Sequence, residues 1–168
     1  MTARPYTSQD QPDVVELILP IQQREFGLSI SLEDQPDLLN IPDFYQQGNG
    51  NFWVAQDEYE LAGTIALLDI GNHQVALRKM FVKAGYRGAE EGVAKRLLDT
   101  ALRWCRRRGI KAIYLGTTAQ FLAAHRFYEK HGFALIDKKQ LPERFPIMAV
   151  DTRFYRFNLD SDSEGNQR

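Results

Sequence analysis

The chain has 168 residues, and its 21 lysines and arginines nearly cancel 22 aspartates and glutamates, leaving a formal charge of −1. That length can bury one core without staples, and the balance of charge excludes the broad basic field that nucleic acid or an anionic membrane would need. A single cysteine, Cys105, excludes an internal disulfide framework and a cysteine zinc site, while no run reaches signal-peptide or membrane-helix length, so a cytoplasmic protein with no membrane partner is expected.

In chain order, a short polar lead is followed by "DQPDVVELILPIQQREF", which predicts a helix beginning near Pro12 with Asp10 as its cap and a bend or break at Pro20. "GLSISLEDQPDLLNIPDFYQQGNG" reads as a loop with one or two short helical turns. "NFWVAQ", "LAGTIALLDI" and "QVALRKMFV" are strand-like runs joined by polar turns, a meander of three antiparallel strands. From Gly92 the period lengthens. Val93, Leu97, Ala101, Trp104 and Cys105 share one face of a long helix, which ends at "RRRG" with Gly109 as its left-handed cap. "IKAIYLGTT" is a buried strand, "FLAAHRFYEKHG" a shorter helix, and "FALIDKK" and "TRFYRFNL" two more strands. Residues 1–159 thus read as one domain, and the tail 160–168 is too polar to pack and is expected to be disordered.

The turn "YRGAEEGVAKRLL" places small residues where the long helix begins. Free amides and the helix dipole converge there into an anion site, and glycine at 88 and 92 lets backbone approach a phosphate. Small residues would equally let the helix pack tightly on a sheet. A Walker loop is excluded because no Gly-Lys-Ser/Thr occurs, and the strand that follows ends "LGTT", without the acid of a dinucleotide fold.

"LRKMFVKAGYRGAEEGVAKRLLDTALRWCRRRGIKAIYLGTT" followed by "AAHRFYEKHGF" resembles the GCN5-related N-acetyltransferase (GNAT) superfamily over about residues 51–159. The resemblance implies an α/β mixed sheet with antiparallel N-terminal strands, a central splayed parallel pair and flanking helices. It implies an N-acetyltransferase that moves acetyl from acetyl-coenzyme A directly to an amine of a small molecule, amino acid or peptide, in a ternary complex. A non-catalytic acyl-coenzyme A binding or sensing module is the alternative, and a homodimer is compatible with either. The backbone of Met80, Phe81 and Val82 would pair with the pantetheine arm. Arg87, Gly88, Glu91, Gly92, Val93, Ala94 and Lys95 would hold the diphosphate. The loop is two residues longer than the family's common form, with Ala89 where a cation or amide would align. Thr117 would bond the pantetheine amide or cap the next helix, and Tyr128 would protonate the departing thiolate.

For the base, Glu33, Asp34, Asp37, Asp43, Asp69 and His73 are candidates, and none stands out from an ordinary loop residue. Phe127 is expected in the core and Phe145 in an acceptor-pocket wall. His125 and His131 lack the spacing and carboxylate of a metal site, so no metal is expected. Cys105, among apolar and arginine neighbours, is expected to be packed rather than nucleophilic.

Overall fold

The structure, a computed structural model, describes residues 1–88 and 90–159. Ala89 and the tail 160–168 lie outside the described residues. The elements are β1 (Thr2–Pro5), α1 (Gln11–Pro20), α2 (Pro36–Leu39), α3 (Ile41–Phe44), β2 (Asn51–Gln56), β3 (Leu61–Asp69), β4 (Gln74–Val82), α4 (Val93–Arg107), β5 (Ala112–Thr117), α5 (Leu122–Lys130), β6 (Ala134–Ile136) and β7 (Arg153–Asn158). Among the described residues the strands form one seven-stranded sheet in the order β1-β2-β3-β4-β5-β7-β6. β4 and β5 run parallel and the other neighbours antiparallel.

Alternation along β2 and β3 assigns the two faces. Trp53, Ile65 and Leu67 point toward α4, whose Leu97, Leu98, Ala101 and Cys105 are buried against them. Phe52, Val54 and Ala66 point toward α1 and the short helices, where Ile18, Leu38 and Tyr45 complete a second core. The sheet is therefore covered on both sides, which explains why its middle strands read as nearly continuous apolar runs.

The N-terminal segment departs from expectation in three places. The polar lead contains β1, which pairs with β2 from Thr2 opposite Gln56 to Pro5 opposite Trp53. Its proline is tolerated because the strand lies on the sheet edge. Asp10 makes no side-chain cap to α1. Instead its carboxylate takes a two-pronged contact from Arg4, at 2.8 Å on each oxygen, and accepts the Thr7 amide. The α-helix ends at Pro20 as expected, but the chain keeps coiling as a π-turn over Ile21–Glu25, where the Phe26 amide reaches the Ile21 carbonyl at 3.0 Å. The ring removes an amide and crowds the carbonyl four residues back, so a wider turn absorbs the misfit. The π-turn aims Glu25 and Phe26 toward the centre of the sheet. Phe127, expected in the core, is only half-buried on its rim, where it packs edge-on against Tyr128.

Candidate active site

The parallel pairing of β4 with β5 covers only Gln74–Ala76 against Ala112–Tyr114, although β4 continues to Val82 and β5 to Thr117. A bulge in β4 explains the divergence. Between the pairs Thr64–Phe81 and Ala66–Arg78, β3 advances two residues and β4 three. The extra residue bends its strand, and Lys79 sits there at φ 52° with its carbonyl held by the Thr64 hydroxyl at 2.7 Å. Beyond the bulge the two strands part around a cavity of about 590 Å³.

Met80, Phe81, Thr117 and Tyr128 all line this cavity, so residues far apart in sequence meet in one place. Tyr128 is 7% exposed, its ring packed against Phe133 and Tyr155 at 5.4 and 6.1 Å between centroids. Its hydroxyl has no partner among the described residues. Burial raises its pKa, so the phenol stays protonated at neutral pH. Thr117 does not cap α5: the N-cap position is Phe121, without a side-chain bond, and it is the Thr118 carbonyl that accepts the Phe121 amide and faces His125 Nε2 at 2.8 Å.

Val82 and the turn residues Arg87, Gly88 and Glu91 to Lys95 lie outside the cavity wall. The turn has the backbone expected of an anion site. Gly88 and Gly92 both have positive φ, 109° and 65°, and Gly92 is the N-cap of α4. The Arg96 amide already bonds the Gly92 carbonyl at 3.0 Å, whereas the amides of Ala94 and Lys95 have no partner among the described residues. The side chains are engaged elsewhere. Lys95 pairs with Asp99 along the helix at 2.8 Å, and Val93 is fully buried. Arg87 donates to the Val82 carbonyl at 2.8 Å and to Glu25 at 2.5 Å. Since the Lys83 amide bonds Ala62 on β3, the Val82 carbonyl one residue back faces the gap, and Arg87 closes the end of that open edge.

Across the gap, Phe26 of the π-turn region stacks on Phe121 at 4.2 Å between centroids, so the N-terminal segment spans the cavity mouth. A second cavity, of about 190 Å³, adjoins the first; Arg78, Lys79, Phe81, Gly116 and Asp151 border both. Phe145 forms part of its wall.

The candidate bases are not brought here. Asp37 is buried, accepting the Tyr45 hydroxyl at 2.6 Å and facing Lys79 at 3.4 Å, with Lys79 also donating to Gln35 at 2.6 Å. Desolvation lowers the Lys79 pKa against the opposing pull of Asp37. Asp34 closes a turn on Ser31, and Asp69 holds the amides of Asn49 and Gly71. Glu33, Asp43 and His73 are exposed and border neither cavity. The carboxylate that does reach both cavities is Asp151. Burial raises its pKa, and it accepts the Met148 amide at 3.1 Å. Its place depends on Gly116: a Cβ there would lie 2.6 Å from Asp151 Oδ2. Sequence reasoning passed over Asp151, Arg78 and Lys79; a glycine inside the buried strand "IYLGTT" was the signal that something approaches that backbone closely. Cys105 is packed in the core, its thiol pushed up to about 12 by burial. Among the described residues no group of His, Cys, Asp and Glu is placed to hold a metal ion, and no helix is long and apolar enough to cross a membrane.

The family model for the acetyltransferase (GNAT) family matches residues 15–133. The chain belongs to the GNAT acetyltransferase family. A GNAT acetyltransferase from Staphylococcus aureus Mu50 superposes with a TM-score of 0.89 at 40% identity, over 94% of this chain and 98% of that one. An acetyltransferase from Streptococcus agalactiae 2603 does so with a TM-score of 0.87 at 28% identity, over the same shares. The mixed sheet with flanking helices is thus the fold of its GNAT relatives. Among curated proteins, N-acetylaspartate synthetase of Xenopus tropicalis is 39% identical over 101 residues, 58% of this chain and 36% of that protein. The chain spans between 36% and 58% of the length of the first curated GNAT relatives it matches.

Proposed function

We propose that the chain transfers acetyl from acetyl-coenzyme A to the amine of a small molecule, amino acid or peptide, directly and within a ternary complex. The observation that carries this reading is the hydroxyl of Tyr128, without a partner among the described residues, in the cavity between the parted strands. The α4 amides of Ala94 and Lys95 are the natural seat of the diphosphate, with Gly88 and Gly92 keeping that backbone open to phosphate oxygens. From there the edge of Met80, Phe81 and Val82 offers backbone groups to the pantetheine amides, and the thioester comes to lie beside Tyr128. Arg87 serves by holding the Val82 end of that edge, and Thr117 lines the opposite wall.

Direct transfer is favoured over an acyl-enzyme because Cys105, at about 12 and fully buried, supplies no thiolate. The Tyr128 phenol is a weak acid in its buried site, but the same desolvation makes the coenzyme thiolate a stronger base, so the two remain matched for proton transfer. Holding donor and acceptor in one cavity supplies the remaining advantage. The test is thiol release from acetyl-coenzyme A with a panel of amines. Release that depends on the amine supports the reading; binding of the coenzyme without release for any amine would replace it with a binding module.

A further inference from the structure

Resting on the acetyl-transfer reading, we propose that Arg78 and Asp151 together recognise an amino-acid acceptor, Arg78 holding its carboxylate and Asp151 its ammonium group, from which Asp151 removes a proton.

The placement of the two side chains carries this. Arg78 and Asp151 border both cavities, so they stand where the thioester cavity opens into the smaller one. They come from different elements, β4 and the connection before β7, and are not paired with each other within ion-pair distance. The Arg78 guanidinium lies 5.6 and 5.9 Å from the ring centroids of Phe44 and Tyr45 and 3.9 Å from the Met148 sulfur. Aromatic rings and a thioether hold the fork, and among the described residues no carboxylate lies within ion-pair distance of it, although its charge is felt by Asp151. A half-buried guanidinium without a carboxylate, at a cavity wall, is a site for one.

Asp151 is the complementary partner. Of the carboxylates bordering the thioester cavity among the described residues there are two, Glu25 and Asp151, and Glu25 is held at the mouth by Arg87. Asp151 lies against the bare backbone of Gly116 on β5, where any side chain would collide with it, and its own turn fixes it through the Met148 amide. The charged and titratable groups that share these two cavities with Asp151 are Arg78 and Lys79 from β4, Glu25 from the π-turn and Tyr128 from α5, while Asp137, Lys138 and Arg153 share with it a third hollow that none of those four borders. Lys79 is already committed to Asp37 and Gln35, which leaves Arg78 as the cation that meets the acceptor. Apart from these charged groups and Gln22, whose amide is bonded to Gln35, the rest of the smaller cavity's wall is apolar, with Leu28, Ile30, Phe145, Pro146 and Met148 among its residues. An apolar side chain fits it, so the acceptor class is an α-amino acid with an apolar side chain.

The step balances as follows. Asp151 takes one proton from the ammonium, freeing the nitrogen lone pair. That pair forms the C–N bond at the thioester carbonyl; the C–S bond then breaks and its electron pair goes to sulfur, which takes the Tyr128 proton. The second nitrogen proton, shed from the adduct, returns through solvent to the phenol, and Asp151 releases its proton to solvent. The net products are the N-acetyl amino acid, coenzyme A thiol and one proton.

The experiment compares L-leucine, L-leucinamide and isopentylamine as acceptors with the full chain and acetyl-coenzyme A, reading thiol release. The amide has the less basic and more easily deprotonated amine, so chemistry alone favours it. The site is expected to reverse that order, with kcat/KM for leucine roughly tenfold or more above leucinamide, as a charge-assisted contact provides. Arg78→Gln should erase the preference by raising KM for leucine alone, and Arg78→Lys should restore part of it. Asp151→Asn should lower kcat on the order of 10²-fold while the rise in melting temperature given by acetyl-coenzyme A stays as in the parent. Equal use of leucine and leucinamide, an Arg78→Gln loss shared by all three acceptors, or turnover by Asp151→Asn within about twofold of the parent would each overturn the proposal and leave acetyl transfer standing. Absence of release with every amine would overturn both.

Discussion

The packing of Tyr128 and the proton donation proposed for it are separated by one substitution, since Tyr128→Phe keeps a ring packed on Phe133 and Tyr155 and removes only the hydroxyl. The expected outcome is a folded protein with unchanged affinity for acetyl-coenzyme A and a kcat lower on the order of 10²-fold, because the lost contact matters once charge develops on sulfur. Stopped-flow or steady-state thiol release measures it, and a kcat within about twofold of the parent would assign the proton to water. Asp151 makes a different prediction, about stability. Its folded pKa is raised by burial, so its contribution is fully present below the ordinary carboxylate range and is lost as pH rises through the raised value. Asp151→Asn keeps an oxygen for the Met148 amide and removes the charge. Thermal melts should therefore show the variant more stable than the parent at pH 7, with the difference vanishing in acid. A variant less stable at pH 7 would mean the carboxylate is held by favourable contacts rather than tolerated for its chemistry. Functional groups kept at a cost in stability are what an active site leads one to expect.

At the scale of elements, the turn before α4 can be tested through Gly92. A β-branched side chain at φ 65° is strained and would stand over the free amides, so Gly92→Val should weaken acetyl-coenzyme A binding about tenfold or more, with a modest loss of stability. Isothermal calorimetry on the folded variant reads this; unchanged affinity would place the diphosphate elsewhere. The contrast between this turn and the acceptor side explains what could be read from sequence. A strand, a small-residue turn and an amphipathic helix are contiguous, so local letters announce them, and the A-x-x-F-Y spacing delivers Tyr128 with them. β1 was hidden because Thr2–Pro5, a short run without strand signals, becomes a strand only by borrowing the edge of β2, a tertiary event. Asp151 was hidden for a related reason. It is one acid in an irregular connection, and what distinguishes it is the bare backbone of Gly116, 35 positions earlier by subtraction of the two residue numbers. Asp37, conversely, looked available in the sequence, but the buried Lys79 and Tyr45 had already claimed it.

For the molecule as a whole, a ligand that binds only the native state must raise its melting temperature in proportion to affinity and concentration. Acetyl-coenzyme A should do so strongly and dephosphorylated pantetheine far less, since on the proposed seating only the former reaches both the open strand edge and the α4 amides. Differential scanning fluorimetry at matched concentrations checks this, and equal shifts would remove the diphosphate from the account. The bulge at Lys79 bears on a hazard of another kind. Strands with unpaired backbone normally lie at the rim of a sheet, where they can recruit other chains into aggregates. Here the unpaired stretch of β4 lies in the interior, with β3 on one side and β5 standing off on the other. A foreign polypeptide strand carries side chains on alternate faces and would need room for them between β4 and β5, two strands of one sheet. A thin, unbranched amide chain needs no such room. On the proposed seating of the coenzyme, a seam opened in mid-sheet instead of at the margin keeps the adhesiveness of a sheet edge for a slender guest and withholds it from other proteins.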